Sequence, residues 1–310
     1  MKIKKVFLTG ANGYIGGSIA NLLIKKGYEV SGLIRQEALA VQLQAFGIRP
    51  VIGSIDNHEL IRREAKAADA IINTASVADP FLIDTLIQAL KGTGKTLIHT
   101  SGSSILGTKD LGESSDFIYT EDYPLTPRFE KTLWVAINNQ VLLTAKQGIR
   151  AMVIVPAMVY GEGLGLRKES IQLPFLWSLA EEKGMGVHVE KGENRWSNVH
   201  VKDLAELYIQ MMEKAASGSY FYAENGEASL KDIAKAISIA MGKGERTISV
   251  PIDEAIAYFK NADLVHFGLA SSSRCTADKA RKLLDWQPQY SSIFEHVMPR
   301  ESAGVRDLGF

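Results

Sequence analysis

The sequence predicts an α/β fold, a doubly wound parallel sheet with a smaller C-terminal cap. Strand-like and helix-like segments alternate through the first half of the chain, and each strand is nearly all apolar. Such strands are typical of a parallel sheet whose two faces are covered by helices. A glycine-rich turn, "TGANGYIGGS" over 9–18, joins the first strand to the first helix. After Pro156 the alternation ends and glycines cluster over 160–170, which indicates a second, smaller unit.

The first elements follow from hydrophobic periodicity. A buried strand over 6–10 precedes a helix over 14–26, which Gly27 ends. Further strands are predicted over 29–34, 69–76, 95–102 and 150–156. Helices are predicted over 57–67, 80–91 and 129–147.

The second half predicts further helices and short strands that form the cap. The helices are expected over 171–183, 202–215, 229–241 and 276–284, with short strands such as 218–223 between them. We therefore expect one domain over 1–157, to which 187–215 adds a strand and a helix. The cap is expected to comprise 158–186 and 216–310.

Composition and charge exclude several classes of function. Lys+Arg and Asp+Glu are equal at 35 each, so net charge gives no reason to expect binding to nucleic acid or to an acidic membrane. No apolar run approaches the roughly 20 residues needed to cross a bilayer. The single cysteine, Cys275, cannot form an internal disulfide, and the apolar stretch in "MKIKKVFLTG" is too short for a secretory signal. A cytoplasmic protein is expected.

Three glycines in the first turn have the spacing of a dinucleotide-binding motif. Gly10, Gly13 and Gly16 are spaced G-x-x-G-x-x-G at a strand-to-helix junction. The first glycine allows a tight turn, the second lets the backbone approach a pyrophosphate, and the third lets helix and strand pack closely. The following helix offers free N–H groups to the anion. The pattern predicts that the first domain binds a dinucleotide.

The end of the next strand favours NADP over NAD. A carboxylate about 20 residues after the turn would bind the ribose 2′-hydroxyl of NAD. Here "GLIRQ" places Ile34 and Arg35 in that region. The guanidinium of Arg35 could pair with a 2′-phosphate, and the alternative is that Arg35 is a solvated surface residue.

Six segments together resemble the extended short-chain dehydrogenase/reductase superfamily, the group of nucleotide-sugar epimerases and dehydratases. They are "TGANGYIG" (9–16), "IINTAS" (71–76), "IHTSG" (98–102), "IVPAMVYGEG" (154–163), "RWSNVHVKDLAELY" (195–208) and "RCTADKARKLLDWQP" (274–288). The resemblance implies a Rossmann fold and an NAD(P) cofactor. It implies cofactor contacts from Asn12, Tyr14, Ile15, Thr74, Ala75, Ser76, Thr100, Pro156 and Val159. It also implies that Arg195 contacts a substrate phosphate.

One departure separates this chain from the superfamily pattern. The superfamily's acid/base pair is Tyr-x-x-x-Lys, in which Lys lowers the pKa of Tyr and Tyr exchanges a proton with the substrate oxygen. None of the ten tyrosines is followed by Lys four residues later. Alignment places Lys131 near the tyrosine position and Val135 near the lysine position. The chain therefore resembles the atypical branches, which keep the cofactor fold and lose this pair.

The remaining polar groups near the predicted strand end are the catalytic candidates. Ser101 is the first choice for a hydrogen bond to a substrate carbonyl or hydroxyl, and Ser104 is the alternate; both could instead cap the turn. Lys131 could act as acid or base or lie on the surface. Tyr119, Tyr123 and a relayed water are further candidates for the proton donor. Asn138 and Asn139 on the long helix could line the pocket or face solvent.

Two functions from different classes remain open. One is an NADP-dependent oxidoreductase or epimerase-like enzyme acting on a small carbonyl or hydroxyl compound, with nucleotide sugars among the candidates. The other is a non-catalytic NADP(H)-binding sensor or scaffold, which the loss of Tyr-x-x-x-Lys favours. The cap, the Ser/Thr strand and Arg195 favour the enzyme. The histidine spacings and the single cysteine predict no metal site. The resemblance implies a homodimer formed through helices 80–91 and 129–147.

Overall fold

The computed structural model describes residues 3–297. Its strands are β1 (Lys5–Thr9), β2 (Glu29–Ile34), β3 (Arg49–Ile52), β4 (Ala70–Asn73), β5 (Thr96–Thr100), β6 (Arg150–Pro156), β7 (Met158–Tyr160), β8 (Val187–Val189), β9 (Arg195–His200), β10 (Tyr220–Ala223), β11 (Glu227–Ser229) and β12 (Ile248–Val250). Its α-helices are α1 (Tyr14–Lys25), α2 (Ala40–Ala45), α3 (His58–Ala67), α4 (Pro80–Leu90), α5 (Thr132–Leu143), α6 (Gln172–Lys183), α7 (Val201–Lys214), α8 (Leu230–Ala240), α9 (Ile252–Phe259), α10 (Ala262–Leu264) and α11 (Asp278–Leu284). None of these helices has the length and apolar character needed to span a bilayer.

Polar side chains fix where several helices begin. Asn57 accepts a hydrogen bond from the Leu60 N–H at the start of α3, and Ser229 accepts one from Asp232 at the start of α8. Asp79 caps α4, and a proline follows it at the first helical position. These groups satisfy N–H donors that have no partner within the helix.

The central sheet has seven strands in the order β10-β6-β5-β4-β1-β2-β3, and all of its neighbouring pairs are parallel. The direction of the strand order reverses between β1 and β4. In open sheets of this kind, ligands bind outside the carboxyl ends of the strands at that reversal. The glycine turn follows β1 and therefore lies at this position.

Helices cover both faces of the sheet, and each face has its own apolar core. On one face α1 packs against α7, and Ile19 and Leu23 are buried with Leu204 and Tyr208. On the other face α3, α4 and α5 bury their apolar sides against strands β1 to β6. The predicted doubly wound α/β fold is confirmed.

The cap has two small sheets and a separate core. Strands β11, β9 and β7 form a three-stranded sheet, and β12 pairs with β8. Helices α6, α8 and α9 pack around them, with Trp177, Ile233 and Val250 buried in the third core. The predicted division into domains remains a prediction, and residues 298–310 of the expected cap lie outside the described residues.

The structure corrects the placement of one strand. Residues 218–223 were expected in the cap, but β10 pairs with β6 at the edge of the seven-stranded sheet. Phe221 and Tyr222 point to opposite faces and are both about 1% exposed. A strand buried on both faces fits a sheet that is covered on both sides.

The long helix predicted over 129–147 is interrupted at both ends. Its α-helical part is α5, preceded by a 3-10 turn over Phe129–Lys131 and followed by one over Thr144–Gln147. Several short elements, including α2, β3 and β8, were not predicted.

Candidate active site

The glycine turn has the geometry that a pyrophosphate needs. Gly10 has a φ of +77°, a left-handed conformation that favours glycine. A Cβ on Gly16 would lie 2.2 Å from the Gly10 carbonyl oxygen and 2.5 Å from Thr74 Oγ1, so a side chain does not fit there. Gly13 caps α1 without any side-chain hydrogen bond, which leaves the first N–H groups of α1 open to an anion. The turn therefore fits a dinucleotide.

A buried polar network supports the turn from β4 and β5. Thr9 Oγ1 donates to Asn73 Oδ1 at 2.6 Å, and Asn73 Nδ2 lies 3.0 Å from His99 Nδ1. Asn73 Nδ2 also donates to the Ser76 carbonyl oxygen at 3.1 Å, and Thr74 Oγ1 donates to the Thr9 carbonyl oxygen at 2.6 Å. Burial lowers the pKa of His99 to about 4, so this ring is neutral near pH 7. The Thr74 hydroxyl thus ties β4 to β1. Thr74 and Ala75 lie against the glycine turn, because a Cβ on Gly10 would lie 3.1 Å from the Ala75 backbone nitrogen.

Arg35 follows β2 directly and is exposed. β2 lies beside β1, with Leu33 opposite Thr9, so Arg35 lies near the carboxyl edge that holds the glycine turn. Within residues 3–297 its guanidinium has no hydrogen bond or ion pair. The group is available to a ligand.

A cleft of about 500 Å³ lies beyond the ends of β5 and β6, between the sheet and the cap. Tyr14 and Ile15 from the start of α1 line it, and so do Pro156 and Val159. Ser101 lines the same cleft. One space thus joins predicted cofactor residues to the first catalytic candidate.

The surroundings of Ser101 define what its hydroxyl can do. Its backbone N–H donates to the Ile154 carbonyl oxygen at 2.8 Å, which holds the residue at the end of β5. Its Oγ accepts a hydrogen bond from Asn138 Nδ2 on α5 at 2.9 Å. Because Oγ is the acceptor in that bond, the hydroxyl hydrogen remains free to be donated into the cleft. Asn138 is buried and Asn139 is exposed, and neither is among the described residues that line this cleft.

The other hydroxyls near this strand end differ in their availability. Ser104 lines the cleft, and its buried Oγ has no partner in the described part of the chain. Thr100 Oγ1 lies 2.6 Å from Tyr208 Oη, inside the core and away from the cleft. The Ser104 hydroxyl is therefore buried but unpaired among the described residues, whereas the Thr100 hydroxyl is already paired.

Lys131 lies behind the cleft wall. Its side chain is only 1% exposed, and Nζ donates to both carboxylate oxygens of Asp263 at 2.7 Å. The ammonium also lies 4.4 Å from the centre of the Trp134 ring and 4.6 Å from that of Phe267. Asp263, Trp134 and Phe267 line the cleft, but Lys131 does not. Lys131 is thus held in an ion pair with Asp263. A catalytic role for Lys131 stays a prediction.

Other candidates lie outside the cleft. Tyr119 and Tyr123 pack edge to face on each other, and neither lines it. Arg195 Nε donates to Glu227 Oε1 at 2.9 Å. Its neighbour Trp196 lines the cleft, and successive side chains on a strand point to opposite faces, so Arg195 points away.

Much of the cleft wall carries no motif in the sequence. Trp134 lies one helical turn before Asn138 on α5, a spacing that could have marked both as one face. Phe267 and Asn261 come from the segment around α10, where no motif pointed to a ligand. In the described residues, no group of three or more His, Cys, Asp and Glu side chains is arranged to hold a metal ion.

Two family models match overlapping parts of the chain. Residues 2–100 match the NmrA-like family, and residues 82–221 match the NAD dependent epimerase/dehydratase family. The uncharacterized protein C2A9.02 of Schizosaccharomyces pombe is 29% identical over 307 residues, covering 93% of this chain and 96% of its own. The oxidase ucsJ of Acremonium sp is 29% identical over 329 residues, covering 92% and 93%.

A solved structure has the same fold at low identity. The crystal structure of dTDP-glucose 4,6-dehydratase from Bacillus anthracis in complex with NAD gives a TM-score of 0.75 at 19% identity, over 95% of both chains.

Proposed function

We propose that this chain, an NAD(P)-dependent oxidoreductase or epimerase of the extended short-chain dehydrogenase/reductase superfamily, uses NADP(H) to interconvert a carbonyl and a hydroxyl group in a small substrate. The family matches and the oxidoreductase relative support the expected superfamily and a nicotinamide dinucleotide cofactor, and they favour an enzyme over a sensor. The choice of NADP, the site residues and the substrate are what we propose here.

The single observation that carries the proposal is the shared cleft. Tyr14 and Ile15, at the end of the glycine turn, face the same space as the Ser101 hydroxyl. A cofactor bound along the turn would therefore end next to a hydrogen-bond donor with an unused hydrogen. Hydride transfer to a carbonyl needs this pairing of a cofactor with a group that polarises the oxygen.

The residues of the chain then have defined roles in carbonyl reduction. A reduced cofactor, NADPH, would supply the hydride for the carbonyl carbon and would be oxidised to NADP⁺. Ser101 Oγ–H donates a hydrogen bond to that oxygen and stabilises its developing negative charge. Asn138 holds Ser101 Oγ in place. The proton that completes the alcohol comes from water in the open cleft and passes through the Ser101 hydroxyl, and the hydroxide that forms leaves to the solvent.

The preference for NADP rests on Arg35. It is exposed at the end of β2 and has no partner among residues 3–297, and its neighbours Ile34 and Gln36 carry no carboxylate that would bind a ribose 2′-hydroxyl. A guanidinium pairs with a phosphate through two parallel N–H donors.

The first experiment is a fluorescence titration with NADPH and, in parallel, with NADH. NADPH is expected to bind at least about tenfold more tightly, because a charge-assisted hydrogen bond contributes about 1.5–3 kcal/mol. Arg35→Ala should abolish the difference, and Arg62→Ala, at another exposed arginine, should keep it. Equal or tighter NADH binding would contradict the assignment of Arg35.

The same protein then tests for turnover. Substrate-dependent loss of NADPH absorbance across a panel of aldehydes and ketones is the expected result. Tight NADPH binding without turnover of any of them would favour the non-catalytic sensor.

We also propose a homodimer through α4 and α5. These helices pack beside each other and expose Phe81, Leu133 and Leu143, which are 73%, 49% and 58% exposed. Sedimentation at micromolar concentration should give a dimer that Leu133→Glu weakens. A wild-type protein that sediments only as a monomer would contradict this proposal.

A further inference from the structure

We propose that the cleft takes a neutral, largely apolar carbonyl compound, and not a nucleotide sugar or another phosphorylated or carboxylated substrate. The inference rests on the proposed function, since it names the substrate class of the same site. The apolar surface and the charges of the cleft lining support it, and neither depends on the reaction.

Large apolar side chains form most of the cleft surface. Trp134, Trp196 and Phe267 contribute aromatic rings, and Ile171 and Leu264 contribute aliphatic groups. These side chains come from α5, β9 and the segments around α6 and α10, so apolar surface surrounds the space on several sides. Burial of apolar ligand surface against such walls is favourable, and sugar hydroxyls would lose water without gaining partners there.

The described lining of the cleft offers no cation to an anionic substrate. Of the described residues that line it, none is Lys, Arg or His, and the one carboxylate is Asp263. The ammonium of Lys131 pairs with Asp263 from behind the wall and offsets its charge. A phosphate or carboxylate in this space would lose its hydration without meeting a positive partner, which is unfavourable.

Arg195, which was expected to contact a substrate phosphate, forms an ion pair with Glu227 outside the cleft. Arg195 pairs with Glu227, which also accepts two hydrogen bonds from Arg274. Burial opposes ionisation of Glu227, but hydrogen bonds from the two arginines outweigh it and hold the pKa of this carboxyl below its ordinary value. Glu227 therefore stays ionised and keeps Arg195 in place on the face of β9 opposite Trp196.

Hydroxyl groups concentrate at one end of the cleft. Ser101 and Ser104 lie beside the end of β5, where the reacting carbonyl is expected. Gln172 and Asn261 also line the cleft, but each already bonds to the protein backbone. The arrangement suits a substrate with one polar reacting group and an uncharged apolar body that extends between the aromatic rings.

A matched pair of ketones tests the inference by binding alone. The probes are para-acetylbiphenyl and the same ketone with a carboxylate on its distal ring, with UDP-glucose as a third ligand. Each dissociation constant is measured by equilibrium dialysis against the full chain, with and without NADP⁺. The neutral ketone should bind at least about tenfold more tightly than either anion, since an unpaired buried charge costs more than about 1.4 kcal/mol.

A positive charge added at the cleft edge tests the role of the lining, and the same charge added away from the cleft is the matched control. Ile171 is 42% exposed and lines the cleft, whereas Ile239 is 55% exposed and lies on α8 away from it. Ile171→Arg should reduce the discrimination against the carboxylate several-fold, and Ile239→Arg should leave it unchanged.

The outcomes separate the two proposals. Tighter or equal binding of either anion to the wild-type protein, or no binding of the neutral ketone up to its solubility limit, would overturn the apolar substrate class. Preferential binding of the neutral ketone supports that class even if no NADPH is oxidised. If the neutral ketone binds preferentially but no NADPH is oxidised, the proposed carbonyl reduction is contradicted and the apolar substrate class is still supported.

Discussion

The hydrogen bond between Asn138 and Ser101 allows a quantitative test of the proposed chemistry. Asn138 Nδ2 donates to Ser101 Oγ at 2.9 Å, and both side chains are buried. Ser101 faces the cleft and Asn138 reaches the substrate only through it. Asn138 is therefore a positioning residue, and its effect should disappear when Ser101 is absent.

The expected magnitudes follow from these roles. Loss of one donor to a developing oxyanion lowers kcat about 10²- to 10³-fold, which is the expectation for Ser101→Ala. Loss of the bond that orients that donor is worth about 1 kcal/mol, so Asn138→Ala should lower kcat about fivefold. The double variant should be no slower than Ser101→Ala alone, which makes the coupling energy about 1 kcal/mol.

The assay is NADPH oxidation with a saturating neutral ketone for the four proteins of the cycle. KM should change little while kcat falls, because the interaction strengthens only as charge develops on the oxygen. Asn139→Ala, an exposed neighbour on the same helix, should retain wild-type kcat. Additive effects of the two substitutions would refute the reasoning, because Asn138 would then act independently of Ser101.

Three further predictions concern stability and cofactor binding. Burial raises the pKa of Glu121 from 4.5 to about 7, so its contribution to stability is full below pH 4.5 and lost as the pH rises through 7. Glu121→Gln should therefore stabilise the protein by about 1 kcal/mol at pH 8, allowing for partial exposure, but not at pH 5. Thermal melts at both pH values check this, and an equal effect at the two values would contradict it. Gly16→Ala places a Cβ 2.2 Å from a carbonyl oxygen and should weaken NADPH binding in the fluorescence titration at least about tenfold, whereas unchanged affinity would contradict the packing argument. Asp263→Ala leaves the buried Lys131 ammonium unpaired and should cost about 3 kcal/mol in urea unfolding, while Lys131→Met should cost less than about 1 kcal/mol; equal losses would contradict the asymmetry.

The sheet could be predicted because its signals are local. Strands such as 150–156 are apolar along their length, and helices such as α1 have one apolar face and a glycine after the end. The placement of β10 could not be predicted in this way. A short apolar strand has the same pattern in either unit, and only its pairing with β6 assigns it to the large sheet.

The two parts of the site differed in how far the sequence could predict them. The glycine turn was predictable because its steric requirements lie within a few residues of one another. The cleft wall was not, because Trp134 and Phe267 meet only through tertiary packing. For Asn138 and Asn139, one helical step of about 100° decides which side chain is buried, and hydrophobic spacing alone did not fix that rotation.

Lys131 now has a structural explanation. It lies near the position where the superfamily pattern has its tyrosine. Its ammonium forms an ion pair with Asp263, and Lys131 does not line the cleft. Asp263 belongs to the segment that also contributes Leu264 and Phe267 to the cleft wall. The ion pair therefore joins this cap segment to the start of α5 and fixes the shape of the cleft. In the proposed reaction this leaves Ser101 as the hydroxyl that polarises the substrate oxygen.

That assignment predicts a flat pH profile. Ser101 does not titrate in the accessible range, and His99, with its pKa lowered to about 4, stays neutral above pH 6. Glu121 titrates near pH 7 but does not line the cleft. We expect kcat/KM for ketone reduction to vary less than about threefold between about pH 6 and pH 9, whereas a titrating general acid would produce a limb in that range. A basic limb that disappears in Lys131→Met would contradict this view and identify the lysine as the proton donor.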